Sequence, residues 1–341
     1  MRNYFASLAA GEKRGFGHSV VRLLLWPLAL LFVLASSLRN FCYDIGMLRS
    51  SDAPRPVASV GNISSGGTGK TPLVLELVLH LKKLGLQPVV LARGYGSDAE
   101  LNDEAAELQG KGVKVVCDPD RHAASLEHED DADCFVLDDG FQHRKLARAF
   151  DIVVVDATRP PWNDAPLPVG LLREGTGSLE RADALVVTRC DRVEDIGAIV
   201  QRLGELSGNK PVFTSVSEAR GLYVPAQDRT LSPGELAGKN VAAFCGIGNP
   251  SQFFDTLEAL GANLLKNRVF PDHHRFSPRE EAELKEWMTG DDAEFVITTA
   301  KDAARTVAFD RLEKYAILHV SGNTHRCEEL LRMMLSAMEI R

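Results

Sequence analysis

The sequence contains few cysteines, and no two of them are spaced as a Cys-x-x-Cys pair. The six cysteines among 341 residues are Cys42, Cys117, Cys134, Cys190, Cys245 and Cys327. This scattered placement excludes the usual patterns of a disulfide framework or of a zinc site with paired cysteine ligands. We therefore expect reduced, mostly buried thiols in a cytoplasmic protein. The sequence also lacks internal repeats and low-complexity tracts.

The sequence lacks an excess of basic residues. The formal net charge is -8, and the pI is about 5.7. A general nucleic-acid binder needs a basic face for the phosphate backbone, so this balance argues against a nucleic-acid partner. Residues 1–55 are the exception, because seven basic side chains face three acidic ones there. The basic end of the chain also contains its most apolar segment.

That apolar segment is short for a membrane span. Residues 23–38 carry no charge, and Arg22 and Arg39 flank them, with Pro27 near one end. Sixteen helical residues reach about 24 Å, whereas the hydrocarbon core of a bilayer is about 30 Å thick. The segment therefore predicts a peripheral or monotopic helix that lies in the membrane interface or inserts partly. An ordinary core helix is the alternative, and a signal peptide is disfavoured because no Ala-x-Ala cleavage site follows.

A glycine-rich segment directly follows an apolar stretch at residues 56–60. Residues 61–71 read Gly-Asn-Ile-Ser-Ser-Gly-Gly-Thr-Gly-Lys-Thr, and an apolar helical pattern begins at once after them. Glycines let backbone N–H groups converge on an anion, Lys70 can reach the β- and γ-phosphates, and Thr71 can offer a hydroxyl to Mg²⁺. The strict motif has glycine where this chain has Ser64, so a glycine-rich turn is the alternative. The residues predicted to bind a nucleoside triphosphate are Ser65, Gly66, Gly67, Thr68, Gly69, Lys70 and Thr71.

Short apolar runs recur along the chain between helical or polar stretches. They lie at residues 88–92, 113–117, 134–137, 152–155, 184–188 and 211–215. Continuous apolar runs of this length are typical of strands in a parallel sheet that is covered on both faces. We predict an α/β fold with a doubly wound, mostly parallel P-loop sheet, in which ligands bind at the carboxyl ends of the strands.

The length of the chain and its 45% hydrophobic content favour about two domains. Residues 217–239 contain prolines and glycines and predict an irregular stretch, after which strand and helix patterns resume. We expect an N-terminal membrane-associated segment over residues 1–50, a nucleotide-binding kinase domain over 51–225 and a smaller α/β domain over 226–341.

Polar residues follow several of the predicted strands. Asp138 and Asp139 end the run at 134–137 and are predicted to hold Mg²⁺ beside the phosphate loop, although an Asp-Asp-Gly turn is the alternative. Gln142 and His143 continue that turn and are candidates for contact with a phosphate or a sugar. After the strand at 88–92, Arg93 is a candidate phosphate clamp or a solvated turn residue.

Two further segments leave alternatives open. Residues 188–191 read Thr-Arg-Cys-Asp, which is similar to the guanine-binding box of GTPases except that Arg189 replaces a lysine. Residues 270–274 read Phe-Pro-Asp-His-His, where His273 with an adjacent carboxylate is a candidate for activating a nucleophile. A membrane-associated P-loop GTPase or ATPase without a lipid acceptor, and a nucleotide-binding adaptor, therefore remain alternatives to a kinase.

The motifs occur in an order that resembles the tetraacyldisaccharide 4′-kinases of lipid A biosynthesis, over essentially the whole chain. The resemblance rests on residues 60–62 leading into 66–72, and on residues 93–96, 138–143, 167–174, 272–273 and 299–303. Val169 and Leu171 depart from the usual pattern of the family, as do the residues that flank Asp103, where the expected glycine and proline are absent.

The resemblance implies ATP- and Mg²⁺-dependent phosphorylation of the 4′-hydroxyl of tetraacyldisaccharide 1-phosphate, which gives the 1,4′-bisphosphate lipid IVA. It implies a location at the cytoplasmic face of the inner membrane of a Gram-negative bacterium, with no obligate protein partner. It assigns Asp103 as the base, with His273 as its partner and Lys70 as a further catalytic residue. The residues that it assigns to the acceptor or its phosphates are Arg93, Tyr95, Gln142, His143, Arg173 and Glu174.

Overall fold

The computed structural model describes residues 16–94, 103–271, 274–290, 292–306 and 309–340. These residues form two compact units. Unit 1 takes in the described residues up to 94, residues 111–216 and residues 322–340. Unit 2 takes in residues 103–110 and the described residues from 217 to 321. The chain therefore contributes to unit 2 a short piece that lies far from the rest of that unit in sequence.

Unit 1 is built on a parallel sheet. Its strands are β1 (Val57–Gly61), β2 (Pro88–Ala92), β3 (Lys114–Cys117), β4 (Cys134–Asp138), β5 (Phe150–Asp156), β6 (Ala184–Thr188) and the start of β7 (Val212–Val224). They pair in the order β3-β2-β4-β1-β5-β6-β7, and these pairings are all parallel. Strand β1 lies between β4 and β5, so the loop that follows it opens at the middle of the sheet edge.

The helices of unit 1 are α1 (Phe16–Asp44), α2 (Lys70–Lys83), α4 (Arg121–Glu127), α5 (Ile196–Leu206) and α9 (Cys327–Ala337). Asp120 and Asp195 cap α4 and α5 by accepting backbone N–H groups of the first turn. Strands β1, β2, β4 and β6 have five residues each, and every one of these residues is buried. This confirms the expectation of a sheet covered on both faces, since such strands read as continuous apolar runs.

Unit 2 is a smaller α/β unit. Its strands are the end of β7, β8 (Arg229–Leu231), β9 (Asn240–Cys245), β10 (Asn263–Val269), β11 (Phe295–Thr299) and most of β12 (Tyr315–Thr324). Strands β10, β9, β11 and β12 pair in that order and in parallel, whereas β7 and β8 are antiparallel. Its helices are α3 (Asp103–Gly110), α6 (Pro250–Ala259), α7 (Pro278–Thr289) and α8 (Ala300–Ala303).

Two features differ from the pattern expected from the sequence. The stretch at 217–239 was predicted to be irregular, but β7 continues to Val224 and β8 follows it as an antiparallel partner. Gly221, one of the glycines that suggested a turn, lies within β7 and against Thr230 of β8. Its lack of a side chain allows the two strands to pair closely. The N-terminal helix also extends beyond the uncharged run, to 29 residues, because charged side chains at its ends do not stop a helix.

Candidate active site

The phosphate loop connects β1 to α2 and is shaped by a left-handed glycine. Gly69 caps α2 with φ of 87°, a conformation that glycine adopts without steric cost. A Cβ at this position would lie 3.1 Å from Cγ2 of Thr188. Lys70 and Thr71 begin the helix and are both buried. The first N–H groups of a helix have no partner within it, so this helix start can receive an anion.

Three side chains at the ends of β1 and β6 hold the loop in place. The Asn62 amide donates to the Thr68 hydroxyl at 2.8 Å, and the Thr188 hydroxyl donates to the Thr68 carbonyl at 2.8 Å. The Arg189 guanidinium donates to the Gly67 carbonyl at 2.6 Å. These bonds occupy carbonyl and hydroxyl oxygens of the loop and fix its shape.

Lys70 and Arg173 share one carboxylate. The Lys70 Nζ lies 3.4 Å from Oδ1 of Asp139, and Nη1 of Arg173 donates to both oxygens of Asp139 at 2.7 and 2.8 Å. Burial of Asp139 raises its pKa, but the attraction of Lys70 and Arg173 outweighs burial and leaves the pKa below its usual value. The structure thus brings together three predicted site residues in a triad of one anion and two cations.

Asp139 has a backbone conformation that is uncommon for a residue with a side chain. Its φ is 52°, in the left-handed region, where a non-glycine residue costs free energy and is often found at functional sites. Glycine follows it at position 140, where an added Cβ would lie 2.6 Å from the Ser59 hydroxyl oxygen. The turn after β4 is therefore tight, and it directs the Asp139 carboxylate towards Lys70.

Asp138 is the last residue of β4 and is buried, like Thr71. Arg121 donates to the Asp138 carbonyl at 3.1 Å and to the Asp139 carbonyl at 3.4 Å, which fixes the backbone of the strand end. A buried carboxylate and a buried hydroxyl offer the oxygen ligands that Mg²⁺ prefers. In the described ranges, no group of three or more His, Cys, Asp or Glu side chains has metal-site geometry.

Ser65 and Gln142 complete the polar surroundings of Arg173. The Arg173 Nε donates to the Ser65 hydroxyl at 3.3 Å, and its Nη1 donates to Oε1 of Gln142 at 3.4 Å. The Gln142 amide in turn donates to the Asn62 carbonyl at 2.8 Å. The predicted Ser65, Gln142 and Arg173 therefore lie together beside the phosphate loop.

His143 lies in the same turn, in an environment that disfavours its charged form. Burial lowers its pKa to about 4, and the nearby cations Arg121 and Arg148 act in the same direction. Arg148 also donates to the His143 carbonyl at 3.2 Å. The imidazole is therefore neutral at pH 7 in the folded protein, and its assignment to substrate contact stays a prediction.

The low pKa of His143 predicts a loss of stability in mild acid. An unfolded histidine titrates near pH 6.5, so the unfolded state binds a proton first as the pH falls. The stabilisation is complete above about pH 6.5 and is lost between there and about pH 4, by about 1 to 2 kcal/mol for the partly exposed ring. Urea unfolding at pH 7 and pH 4.5 measures this loss, and His143→Gln should reduce it. An unchanged loss in that variant would assign the pH dependence to other groups.

Glu174 is buried and contacts the N-terminal helix. Its carboxylate accepts a hydrogen bond from the Asn40 amide at 2.8 Å and one from Arg39 at 3.5 Å, and Arg181 lies 2.8 Å from it. The structure therefore places Glu174 where α1 meets the rest of unit 1. Its predicted contact with the acceptor remains a prediction.

The remaining predicted residues are Arg93, Asp103, Tyr95 and His273, and two of them lie outside the described residues. Arg93 is exposed at the end of β2 in unit 1. Asp103 is the first residue of α3 in unit 2, where the backbone of the helix is described but the Asp103 side chain is not. Tyr95 and His273 lie outside the described residues. The geometry of the predicted base and its partner therefore remains a prediction.

The residues that support the phosphate loop were not predicted from the sequence. Arg189 pairs with Asp156, the last residue of β5, and it also reaches the loop. The Thr-Arg-Cys-Asp segment thus carries the loop contact through its arginine, whereas the carboxylate of Asp191 lies 4.0 Å from Nε of Arg192. Asp156 is an acidic residue at the end of β5, and β5 pairs with β6, which leads into that segment. Its position at a predicted strand end was the only feature of the sequence that pointed to it.

Residues 21–339 of the chain match the model of a protein family that is described as "Tetraacyldisaccharide-1-P 4'-kinase". The tetraacyldisaccharide 4'-kinase of Anaeromyxobacter dehalogenans (strain 2CP-1) is 38% identical, over 90% of this chain and 87% of that protein. The enzyme of the same name from Pelobacter propionicus is 32% identical, over 91% of this chain and 90% of that protein.

A solved structure is also similar over nearly the whole chain. LpxK from Aquifex aeolicus in complex with ATP has a TM-score of 0.74 and 29% sequence identity, and the match covers 93% of this chain and 99% of that chain. The similarity confirms the α/β fold predicted from the sequence, with its mostly parallel sheet and N-terminal apolar helix.

Proposed function

Because the chain belongs to the tetraacyldisaccharide-1-P 4′-kinase family, we propose that it phosphorylates the 4′-hydroxyl of tetraacyldisaccharide 1-phosphate with ATP. The product is the 1,4′-bisphosphate, lipid IVA. In this reaction the 4′-oxygen bonds to the γ-phosphorus of ATP, the bond to the β,γ-bridging oxygen breaks, and ADP leaves. The observation that carries the proposal is the phosphate loop with its buried lysine, within a chain that matches this family from residue 21 to residue 339.

The loop fits the phosphates of ATP. Gly69 has a left-handed backbone conformation and no side chain, so the loop can lie close to Thr188. The N–H groups at the start of α2 can surround an anion. Lys70 binds the β- and γ-phosphate oxygens in this proposal and offsets the charge that develops on them during transfer. Arg173, which now shares Asp139 with Lys70, is close enough to the loop to contact the same phosphates.

The residues at the end of β4 fit a magnesium ion bound together with the nucleotide. When bound, Mg²⁺ would neutralise charge on the β- and γ-phosphates. The Thr71 hydroxyl and the Asp138 or Asp139 carboxylate would hold it, and both Thr71 and Asp138 are buried. Magnesium takes one or two protein oxygens and keeps water and phosphate ligands for the rest. A pair of oxygen donors is therefore sufficient.

Asp103 accepts the proton of the 4′-hydroxyl in this proposal, and His273 orients or supports the carboxylate. A carboxylate in hydrogen-bond reach of the hydroxyl increases the negative charge on the attacking oxygen as the new bond forms. Support for this pair comes from the match to the family, since neither side chain is among the described ones. Phosphoryl transfer depends on in-line placement of the attacking oxygen, so the alignment of both residues matters.

Helix α1 suits an acceptor that stays in the bilayer. By length and composition, Ser19–Asp44 could cross a membrane, and little of it is buried against the protein. Large apolar side chains such as Leu24, Leu31 and Leu34 are exposed. Arg144 donates to the Asn40 carbonyl and pairs with Asp44, so the end of α1 is tied to unit 1. We propose attachment at the cytoplasmic face of the inner membrane, where the sugar head of the lipid can reach the site.

Removal of apolar area from α1 should weaken membrane attachment. The triple variant Leu24→Gln, Leu31→Gln, Leu34→Gln is expected to lose at least about 10-fold in vesicle partition, because burial of each leucine contributes roughly 1.5 to 3 kcal/mol. Co-sedimentation with vesicles of phosphatidylethanolamine and phosphatidylglycerol measures the loss. Leu84→Gln and Leu126→Gln, at two exposed leucines outside α1, are the controls. Equal partition of the triple variant and the wild type would contradict attachment through this face.

The test of the proposed function is ADP release in detergent, with ATP and Mg²⁺, in the presence and absence of tetraacyldisaccharide 1-phosphate. Release that depends on the disaccharide, together with a new bisphosphorylated lipid, is the expected result. Equal release without the acceptor, or a preference for GTP, would instead support a nucleotide hydrolase at the membrane. The family match favours the kinase over that alternative.

A further inference from the structure

The Thr-Ala-Lys-Asp-Ala segment at residues 299–303 has no role in the function proposed so far. It forms the end of β11 and the short helix α8 in unit 2. Asp302 is fully buried. A buried carboxylate is costly unless hydrogen bonds and an opposite charge compensate it. The partners of Asp302 therefore indicate what the segment holds in place.

Three groups compensate the Asp302 carboxylate. Oδ2 accepts hydrogen bonds from the Gly246 N–H at 3.0 Å and from the Thr299 hydroxyl at 2.7 Å. Arg305 lies 3.5 Å from Oδ1. Thr299 also accepts the Asp302 N–H and so caps α8. The carboxylate thereby joins the turn after β9, the end of β11 and the arginine that follows α8.

Two of those partners contact the segment around residue 273. The Arg305 Nη1 donates to the His274 carbonyl at 3.5 Å. Gly246 lies so close to the same segment that an added Cβ would be 2.9 Å from the Pro271 carbonyl oxygen. Through Gly246 and Arg305, Asp302 is thus linked to Pro271 and His274, which flank the undescribed residues 272 and 273 in sequence.

The segment is also held from its other side. The His274 ring stacks on Phe270 with 5.0 Å between ring centroids, and its Nε2 lies 3.0 Å from Oε2 of Glu280. Phe276 meets both rings edge to face. His274 is therefore fixed by packing, and its backbone carbonyl is a stable acceptor for Arg305.

Helix α8 contacts the helix that carries Asp103 as well. Helix α3 packs against α8 within unit 2, and Ala105 and Leu108 on α3 are buried. This contact explains why residues 103–110 belong to unit 2, although their sequence neighbours on both sides belong to unit 1. One short helix thus touches the element that begins at Asp103 and holds the residues that flank His273.

We propose that Asp302 is a positioning residue for phosphoryl transfer. It holds the segment that carries His273 through Gly246 and Arg305, and it aligns that segment with the helix that begins at Asp103 through the packing of α8 on α3. The inference rests on the proposed function, because it assumes that Asp103 and His273 activate the acceptor hydroxyl. Misplacement of a reacting group by about 1 Å can lower a rate about 100-fold, so the alignment of this pair is a sensitive part of the site.

The test is a double-mutant cycle in the full-length protein, assayed with ATP and tetraacyldisaccharide 1-phosphate in detergent. Asp302→Ala is expected to lower kcat roughly 10- to 100-fold and to leave the KM for ATP within about twofold. Asp302→Asn keeps an acceptor for the Gly246 N–H and should recover part of the loss. In a His273→Ala background, Asp302→Ala should change kcat by no more than about twofold, since residues that act as a unit are not additive.

Thr298→Val is the matched control. It removes a buried hydrogen bond from Thr298 to the Phe244 carbonyl in the same unit and leaves the hydrogen bonds of Asp302 and Arg305 in place. If Asp302→Ala does not fold, Arg305→Met serves in its place, because it removes the donor to the His274 carbonyl. Thermal melting and binding of ATP by the phosphate loop verify that each variant is folded.

The outcomes separate this inference from the function on which it rests. Equal losses in the wild-type and His273→Ala backgrounds, or a similar loss in Thr298→Val, would overturn the positioning role and leave the kinase function intact. Full activity of His273→Ala would overturn both the positioning role and the assignment of the pair. Absence of acceptor-dependent ADP release from the wild type would overturn the function itself.

Discussion

Lys70→Ala is expected to lower kcat at least about 100- to 1,000-fold, because it removes the cation that offsets charge on the transferring phosphate. The variant should nevertheless fold. Lys70 is buried, but its partner Asp139 keeps two hydrogen bonds from Arg173. Alanine therefore leaves no carboxylate without a cation. Initial rates of ADP release at saturating acceptor, together with circular dichroism, measure both expectations.

Lys83→Ala is the control for this variant, since Lys83 is exposed at the other end of the same helix. It should keep the wild-type rate. Normal turnover of Lys70→Ala would remove the phosphate loop from the mechanism. Unfolding of Lys70→Ala would show that the Arg173 pair alone does not compensate Asp139.

Asp103→Asn is expected to lower kcat by about 100- to 10,000-fold, the range for loss of a general base. The KM for ATP should stay nearly constant, because Asp103 acts on the acceptor hydroxyl in this proposal and not on the nucleotide. Rapid-quench measurement of the first turnover separates chemistry from product release. Glu104→Gln is the matched control, because it removes one negative charge at the next residue of the same helix.

A result in which Asp103→Asn raises KM for ATP with kcat unchanged would contradict the role of a base and indicate nucleotide binding instead. A fall of similar size in Glu104→Gln would show that net charge on α3 is responsible. In either case the acceptor hydroxyl would need another group to take its proton.

Local patterns predicted the parts of the fold and site that depend on neighbours in sequence. Strand, glycine-rich loop and helix follow one another directly, so β1, Gly69 and α2 were accessible from residues 56–84. Asp139 and Lys70 were both selected, and the structure places their side chains 3.4 Å apart. This succeeded because the carboxyl ends of parallel strands meet at one sheet edge.

Other features depend on contacts between distant residues, and local patterns could not predict them. Residues 103–110 pack on α8, about two hundred positions later, so their membership of unit 2 is not visible in their own sequence. Arg189 replaces the lysine of a guanine-binding box, and its contact with the Gly67 carbonyl became apparent only in the fold. The extension of β7 to Val224 depends on its pairing with β8.

The charge balance around Asp139 has a consequence for which anions the loop selects. With Lys70 and Arg173 both paired to this carboxylate, one of the two positive charges beside the loop is already compensated. An incoming anion must take the place of Asp139 as the partner of Lys70. The exchange of one anion for another adds little binding free energy. Inorganic phosphate makes few other contacts with the protein. A nucleotide also makes contacts through its other phosphates, its sugar and its base. We therefore expect the loop to bind a nucleotide in preference to small anions such as inorganic phosphate.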